Sequence, residues 1–363
     1  MQKQFILIFF IKTLLVMPSF CLGSPTISEK LNHKIQPPCY SEPTEINASS
    51  QEVFEELSPI LKRRLSMTNY DRTLPILQFL DHYKKTQEQY PDIRPMDALL
   101  TFDLAPCVPS VRGGPCFTLA HDLLQFIPKK YQAYLCLAKL PPKFQQPAFP
   151  EFSHVAILIK YSNPEIVSDK GYILLDPSFD IDTPLVLKEN GSPAIYDTKV
   201  KGIWKFSLSQ GQIICELPVN GHTERMVYLT KEVLNPIQSS ATPMLIVDRR
   251  LSLLSREENG LHIAHLNIEL NKNRVIWDKG SKRFDPVSFD SILNGWTFPL
   301  WFSKDLFIEN KKLADTLRTI IKYKHVLDNL YHDYLKIICE TNDTSITGEI
   351  DLNKVESILA SIK

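Results

Sequence analysis

The chain has 363 residues, 44% of them apolar and 23% charged, so it is long enough for two or three packed domains and has the composition of a globular protein. Lys plus Arg and Asp plus Glu both total 41; with no net field and neither a basic stripe nor a basic aromatic module, nucleic-acid binding is excluded as a leading function. The predicted elements then follow from the N-terminus. Lys3 precedes the apolar run Phe5 to Ile11, Lys12 interrupts it, and Leu14 to Phe20 continues it to Cys21-Leu-Gly before Ser24. This pattern predicts a secretory signal peptide over residues 1–23 and a secreted or exported protein, with a membrane-anchored or cytoplasmic chain as the alternative. Pro25, Pro37, Pro38 and Pro43 mark residues 24–48 as a linker.

Residues 49–135 predict a helical domain. Ser49-Ser-Gln-Glu52 is a capping box that opens a helix with Val53, Leu57, Ile60 and Leu61 on one face, and Ile76, Phe79, Leu80 and Tyr83 repeat the pattern. The stretch Val-Arg-Gly-Gly-Pro-Cys-Phe, residues 111–117, then reads as a glycine turn that delivers a cysteine onto a new helix. Gly113 and Gly114 supply backbone freedom, Pro115 has no N–H to lose at a helix start, and Ala120, Leu123, Leu124 and Ile127 give the buried stripe. The helix dipole and Arg112 favour the thiolate of Cys116 while burial opposes it, so an imidazolium partner decides.

Residues 136–240 predict a β domain. Short apolar runs alternate with turn signals from Tyr134 to about Tyr228, as in a barrel or strongly curved sheet. Phe152 to Lys160 is a strand buried on both faces with His154 at its start, and after a turn-rich insert, residues 162–170, an antiparallel neighbour ends at Asp176-Pro177. Such a hairpin lets Asp176 bond one ring nitrogen of His154 while the other faces the thiol. His121 is a rival base, but five residues along the helix it is rotated roughly 140° from Cys116, and Asp122 likewise points elsewhere.

Residues 241–302 add strands at Met244 to Val247 and Ile263 to Ile268 and an amphipathic segment at Phe289 to Leu293. Residues 303–363 form a C-terminal helical extension, one long amphipathic helix from Leu306 to Leu335 whose apolar face is buried on the body or offered to a protein partner. The loop after Asp343 resembles a calcium loop, but Lys354 occupies the position of its bidentate glutamate, which argues against calcium. No metal is expected, since the seven cysteines show no Cys-x-x-Cys, and His262 and His265 lie on a strand with no acidic ligand nearby in sequence. With Cys21 removed and Cys116 reserved for chemistry, Cys39, Cys107, Cys136, Cys215 and Cys339 leave room for one or two disulfides in an oxidising compartment.

The order Cys116, His154, Asp176, together with Arg112-Gly113-Gly114-x-Cys116-Phe117, resembles the arylamine N-acetyltransferases over about residues 70 to 300. The Cys116 to His154 interval is the family's, and the interval to Asp176 is longer by the insert. Three departures lie around the cleft. Thr118 and Ala120 replace a glutamate and an asparagine, Leu-Thr-Phe-Asp-Leu-Ala-Pro replaces the upstream Pro-Phe-Glu-Asn, and Pro177-Ser178-Phe179 follows the aspartate in place of Gly-Phe-Gly.

The resemblance implies an α+β fold on the transglutaminase and cysteine-protease-like scaffold. It has an N-terminal helical bundle carrying the nucleophile, a central antiparallel β-barrel-like domain, a third α/β lid region, and here the C-terminal extension. It implies an acyltransferase with catalytic Cys116, His154 and Asp176, acetyl-CoA as acyl donor and co-substrate held near Arg112, Gly113, Gly114 and Phe117, and a small-molecule amine acceptor. Since acetyl-CoA is a cytosolic donor, an exported chain leaves two alternatives open: a transglutaminase-like or peptidase-like cysteine hydrolase, and a non-catalytic interaction protein on this fold.

Overall fold

The structure, a computed structural model, describes residues 36–102, 113–142, 144, 151–179, 181–189, 191–198, 202–219, 221–236, 249–256, 262–306 and 308–341. The signal segment 1–23, Cys21, Cys107, Arg112, the strand expected at 244–247 and the calcium-like loop therefore lie outside the described residues. Among those described, no helix is long and apolar enough to cross a membrane.

The N-terminal part comprises β1 (Tyr40–Ser41), β2 (Glu45–Asn47), α1 (Ser50–Met67), β3 (Asn69–Asp71), α2 (Thr73–Gln89), α3 (Pro95–Thr101), β4 (Gly113–Gly114) and α4 (Cys116–Phe126). Its first helix starts where the capping box places it, with the Ser49 side chain accepting from Glu52 N at 3.2 Å. The barrel part follows as β5 (Tyr134–Lys139), β6 (Phe152–Ser162), β7 (Lys170–Leu175), β8 (Leu185–Lys188), β9 (Ala194–Asp197), β10 (Ile203–Ser209), β11 (Gln212–Val219), β12 (His222–Leu229) and β13 (Glu232–Val233). The third part is β14 (Arg250–Arg256), β15 (His262–Glu269), β16 (Arg274–Lys279), β17 (Lys282–Arg283), β18 (Val287–Ser288) and α5 (Phe289–Leu293). Three helices end it: α6 (Leu300–Asp305), α7 (Asn310–Lys322) and α8 (Lys324–Thr341).

The fold is α+β. A nine-stranded sheet in the order β8-β7-β6-β5-β12-β11-β10-β9, with β2 paired in parallel to β6, curls until β8 and β9 approach each other and leave a nearly closed barrel. Strand alternation sorts β6 onto two cores: Val155, Ile157 and Ile159 face α1 and α4, while Ala156 and Leu158 face the barrel interior with Leu174, Phe206 and Tyr228.

The third sheet, in the order β17-β16-β15-β14-β3-β4, draws two of its strands from the N-terminal part. β14 pairs antiparallel to β3, and β3 runs parallel to β4. A division of the chain into consecutive helical and lid segments misses this, because strands of two or three residues carry no periodic signal. The single helix expected from Leu306 to Leu335 is instead α7 and α8, broken at Tyr323. The apolar stripe continues in helical register from Ile320 to Leu327 across the break, so periodicity does not mark it, and both helices turn that face inward. Leu313, Leu317, Ile320, Leu330, Tyr334 and Ile338 are buried in one cluster with Phe79 of α2, Leu99 of α3 and Leu266 of β15. The apolar face expected for a protein partner is thus consumed by the body of the protein.

The hairpin insert also has a structural job. Asp169 sits at the start of α1, accepting from Ser50 N at 3.1 Å and Ser50 Oγ at 2.6 Å, with Lys188 Nζ at 3.0 Å. Burial pushes its carboxyl up, but these donors outweigh burial and hold it at about 2, below the ordinary 3.8. A carboxylate depressed on folding adds stability above its unfolded value and loses it as pH falls through the folded one. Asp169 therefore contributes about 2 kcal/mol at neutral pH that disappears between about pH 4 and pH 2. Asp169→Asn should lower the unfolding free energy at pH 7 by that amount and converge with the parent at pH 2, as chemical unfolding at both pH values will show.

Candidate active site

Three elements deliver the side chains. Cys116 is the first residue of α4, behind an N-cap at Pro115. Gly113 and Gly114 do not form the expected turn: together they make β4, and Gly114 has no positive φ. What requires glycine is proximity, because a Cβ on Gly114 would lie 2.7 Å from Cβ and Cγ2 of Thr118 on the first turn of α4. Phe117 turns its side chain into the core between α1 and β6, so the group it can offer a ligand is its backbone N–H. Arg112 lies outside the described residues.

His154 and Asp176 share the barrel-facing side of the β6–β7 hairpin. Ile157 pairs with Leu175, so the ladder continued past the strand end sets Asp176 opposite Ala156 and diagonal to His154. His154 Nε2 and Asp176 Oδ2 are 2.7 Å apart, and the ring is also hydrogen-bonded to Cys116, which takes the remaining Nδ1. Cys116, His154 and Asp176 are 2%, 3% and 0% exposed, so water screens none of these contacts.

The aspartate is solvated by protein alone. Its Oδ1 accepts from Ser178 N at 3.1 Å and Phe179 N at 3.3 Å, and its Oδ2 accepts a second bond from Tyr228 Oη at 3.0 Å. Four donors thus converge on one buried carboxylate. Burial, with the Asp176 charge, pushes the Tyr228 phenol well up, so it stays a donor.

Tyr228 was not legible in the sequence, because it reaches the site through non-local pairing: Tyr228 lies opposite Ala138 on β5, and Ala138 opposite His154 on β6. The small Ala138 and Ala156 leave the phenol room to cross the sheet. Phe179 packs edge-on against His154, with ring centroids 4.9 Å apart at 88°. Tyr228→Phe removes one of four bonds to the carboxylate and should slow turnover by about tenfold with an unchanged melting profile, consistent with 1.5–3 kcal/mol for hydrogen bonds to charged groups. Parallel rate and circular-dichroism measurements on the variant check this.

The electrostatics separate Cys116 from the other buried thiols. Burial pushes Cys136 and Cys215 up, and the Asp176 charge adds to it, so both remain protonated. Burial also pushes Cys116 up, but the His154 hydrogen bond and charge, the Val155 N–H and the Arg72 charge together bring it below its ordinary value. Burial likewise opposes charge on His154, and the charge and hydrogen bond of Asp176, with those of Cys116, raise it. Both shifts favour thiolate and imidazolium over the neutral pair.

The remaining candidates stand apart. His121 bonds Gln125, with 3.4 Å between Nδ1 and Nε2, and Asp122 is buried against Arg64 of α1, whose Nε donates at 3.0 Å, so neither serves the thiol. His265 does meet an acid, Asp278 on the neighbouring strand, Nδ1 to Oδ2 at 3.3 Å. This is a cross-strand pair that the sequence did not show. No cluster of three His, Cys, Asp or Glu side chains suited to a metal occurs among the described residues, and no disulfide joins any two of Cys39, Cys116, Cys136, Cys215 and Cys339.

No protein-family model matches the chain, and no curated protein matches it. Solved structures similar to it include the arylamine N-acetyltransferase of Mycobacterium smegmatis, 12% identical over 78% of this chain and 94% of that one, with a TM-score of 0.44. The enzyme of Salmonella typhimurium is 12% identical over 81% and 98%, with a TM-score of 0.42. The Mycobacterium marinum enzyme in complex with CoA is 11% identical over 76% and 93%, with a TM-score of 0.43.

Proposed function

We propose that the protein is an arylamine N-acetyltransferase-like acyltransferase that moves an acyl group from a CoA thioester to a small-molecule amine through an acyl-Cys116 intermediate. The observation that carries this reading is the buried chain Cys116–His154–Asp176, with the 2.7 Å His154–Asp176 bond, joined to the Arg-Gly-Gly-x-Cys-Phe motif in the sequence. Sγ of Cys116 attacks the acyl carbonyl carbon and a C–S bond forms; backbone N–H groups at Phe117 receive the oxyanion. The donor's C–S bond then breaks, and His154 gives its proton to the departing thiol. His154, now neutral, takes a proton from the amine as its nitrogen attacks, the Cys116 thiolate leaves, and the imidazolium is restored. Asp176 holds the ring in one tautomer throughout.

For the donor, this chain provides a nucleophile at the positive end of α4. Export through residues 1–23 belongs to the same proposal, and N-terminal sequencing of the protein recovered from its native source reads whether the mature chain starts near Ser24. The decisive experiment for the reaction is an intact mass spectrum after mixing with acetyl-CoA. A mass gain of one acetyl group at Cys116, discharged by an added arylamine, supports transfer. Alkylation of Cys116 by iodoacetamide without acetylation rejects it in favour of a hydrolase, and neither modification rejects chemistry at Cys116 altogether.

A further inference from the structure

The chain of ions at the site is unbalanced. Thiolate, imidazolium and carboxylate sum to one negative charge, buried, and such a charge is costly without a further cation. The third sheet carries one to it. β3 and β4 run parallel with Asn69 opposite Gly113 and Tyr70 opposite Gly114. Each strand leads within two residues into a helix, β3 through Arg72 into α2 and β4 through Pro115 into Cys116 of α4, so the parallel pair sets the two helix starts side by side. Arg72 is held there by other elements: it is the N-cap of α2, and its N–H donates to Ser252 O of β14 at 2.9 Å. Its Nη2 is shut off from solvent, so its charge is little screened.

We propose that Arg72 is a positioning residue for the nucleophile, a second cation that holds Cys116 as thiolate from the third sheet while His154 does so from the barrel. The proposal rests on the reading of Cys116 and His154 as thiolate and imidazolium. The lowered titration of Cys116 agrees with it, since the Arg72 charge is one of the causes that overcome burial. Among the described residues, other charged groups near these elements have partners of their own. Behind His154 stand Asp176 and Tyr228. Beside Arg72 stands the fully buried Asp71, whose Oδ1 is engaged by Thr73 N at 2.8 Å and Thr73 Oγ1 at 2.6 Å at the positive end of α2. On α4 itself, Asp122 is tied to Arg64 and His121 to Gln125.

The test is the pH profile of Cys116 alkylation by iodoacetamide in the full chain. Arg72→Gln should move the midpoint up by about one pH unit, a tenfold loss of thiolate below it, and Arg72→Lys should recover most of that shift. A midpoint in Arg72→Gln equal to the parent's overturns the proposal. His154→Ala run alongside separates the two ideas: no shift there means the nucleophile reading has failed, whatever Arg72 does. Should Arg72→Gln not fold, the His154→Ala protein still answers. If Arg72 faces the sulfur, anionic iodoacetate reacts faster relative to iodoacetamide than it does with a free cysteine, and a ratio equal to that of a free cysteine overturns the assignment.

Discussion

Asp176→Asn should leave the fold in place and slow acyl transfer by about 10⁴, the loss that follows when the carboxylate of a Cys/Ser–His–Asp arrangement is made neutral. The geometry says why so small a change costs so much. The amide oxygen can still accept from Ser178 N and Phe179 N, so the turn after β7 survives. The amide nitrogen then occupies the place of Oδ2, where it meets two donors, His154 Nε2–H and Tyr228 Oη–H. The ring relieves the clash by shedding its Nε2 proton and carrying it on Nδ1, the atom that faces the sulfur. An Nδ1 that already holds a proton cannot take one from the thiol or the amine. Steady-state transfer from acetyl-CoA to an arylamine, with circular dichroism as the control for folding, measures the effect. A fully active Asn variant would show that Asp176 is only a turn residue.

How much of this was readable beforehand follows the range of the interactions. The cap at Ser49, the start of α4 at Cys116 and the hairpin carrying His154 and Asp176 are set within a few residues of chain, and periodicity and turn chemistry report such short-range choices. Tyr228 and Arg72 are set by partners far away in the chain: Ala138 across β5, and β4 beside β3. No local pattern encodes those pairings. Gly114 illustrates a different limit: the expected turn is a strand there, and the missing side chain leaves room for Thr118, where a Cβ would lie 2.7 Å away. The C-terminal segment shows another. A stripe of leucines and isoleucines specifies burial without saying where the helix breaks, and tertiary packing on α2, α3 and β15 settles it at Tyr323.

His154→Ala should carry the second large effect, on the reactivity of Cys116 itself. In the parent, two opposite shifts cooperate: the thiol titrates below its ordinary value and the imidazole above its own. Thiolate is present above the first and imidazolium below the second, and the two opposite shifts open a window between them in which the ion pair exists. Alkylation by iodoacetamide should therefore already be rapid well below pH 8.5, the ordinary thiol range. Transfer, which also needs the imidazolium proton for the leaving thiol, should fall again at high pH while alkylation does not. Removing the imidazole leaves burial as the largest influence on a sulfur that is 2% exposed, and burial favours the neutral thiol. The alkylation midpoint should rise by about two pH units, which is a loss on the order of 100-fold in rate at pH 7, and the high-pH limb of transfer should vanish together with turnover. Stopped-flow alkylation from pH 5 to pH 10, with peptide mapping to confirm that Cys116 is the residue modified, reads both limbs. A parent profile that follows a free cysteine, or a variant profile that overlays the parent, would mean that the 2.7 Å bond between His154 and Asp176 serves the barrel and not the thiol.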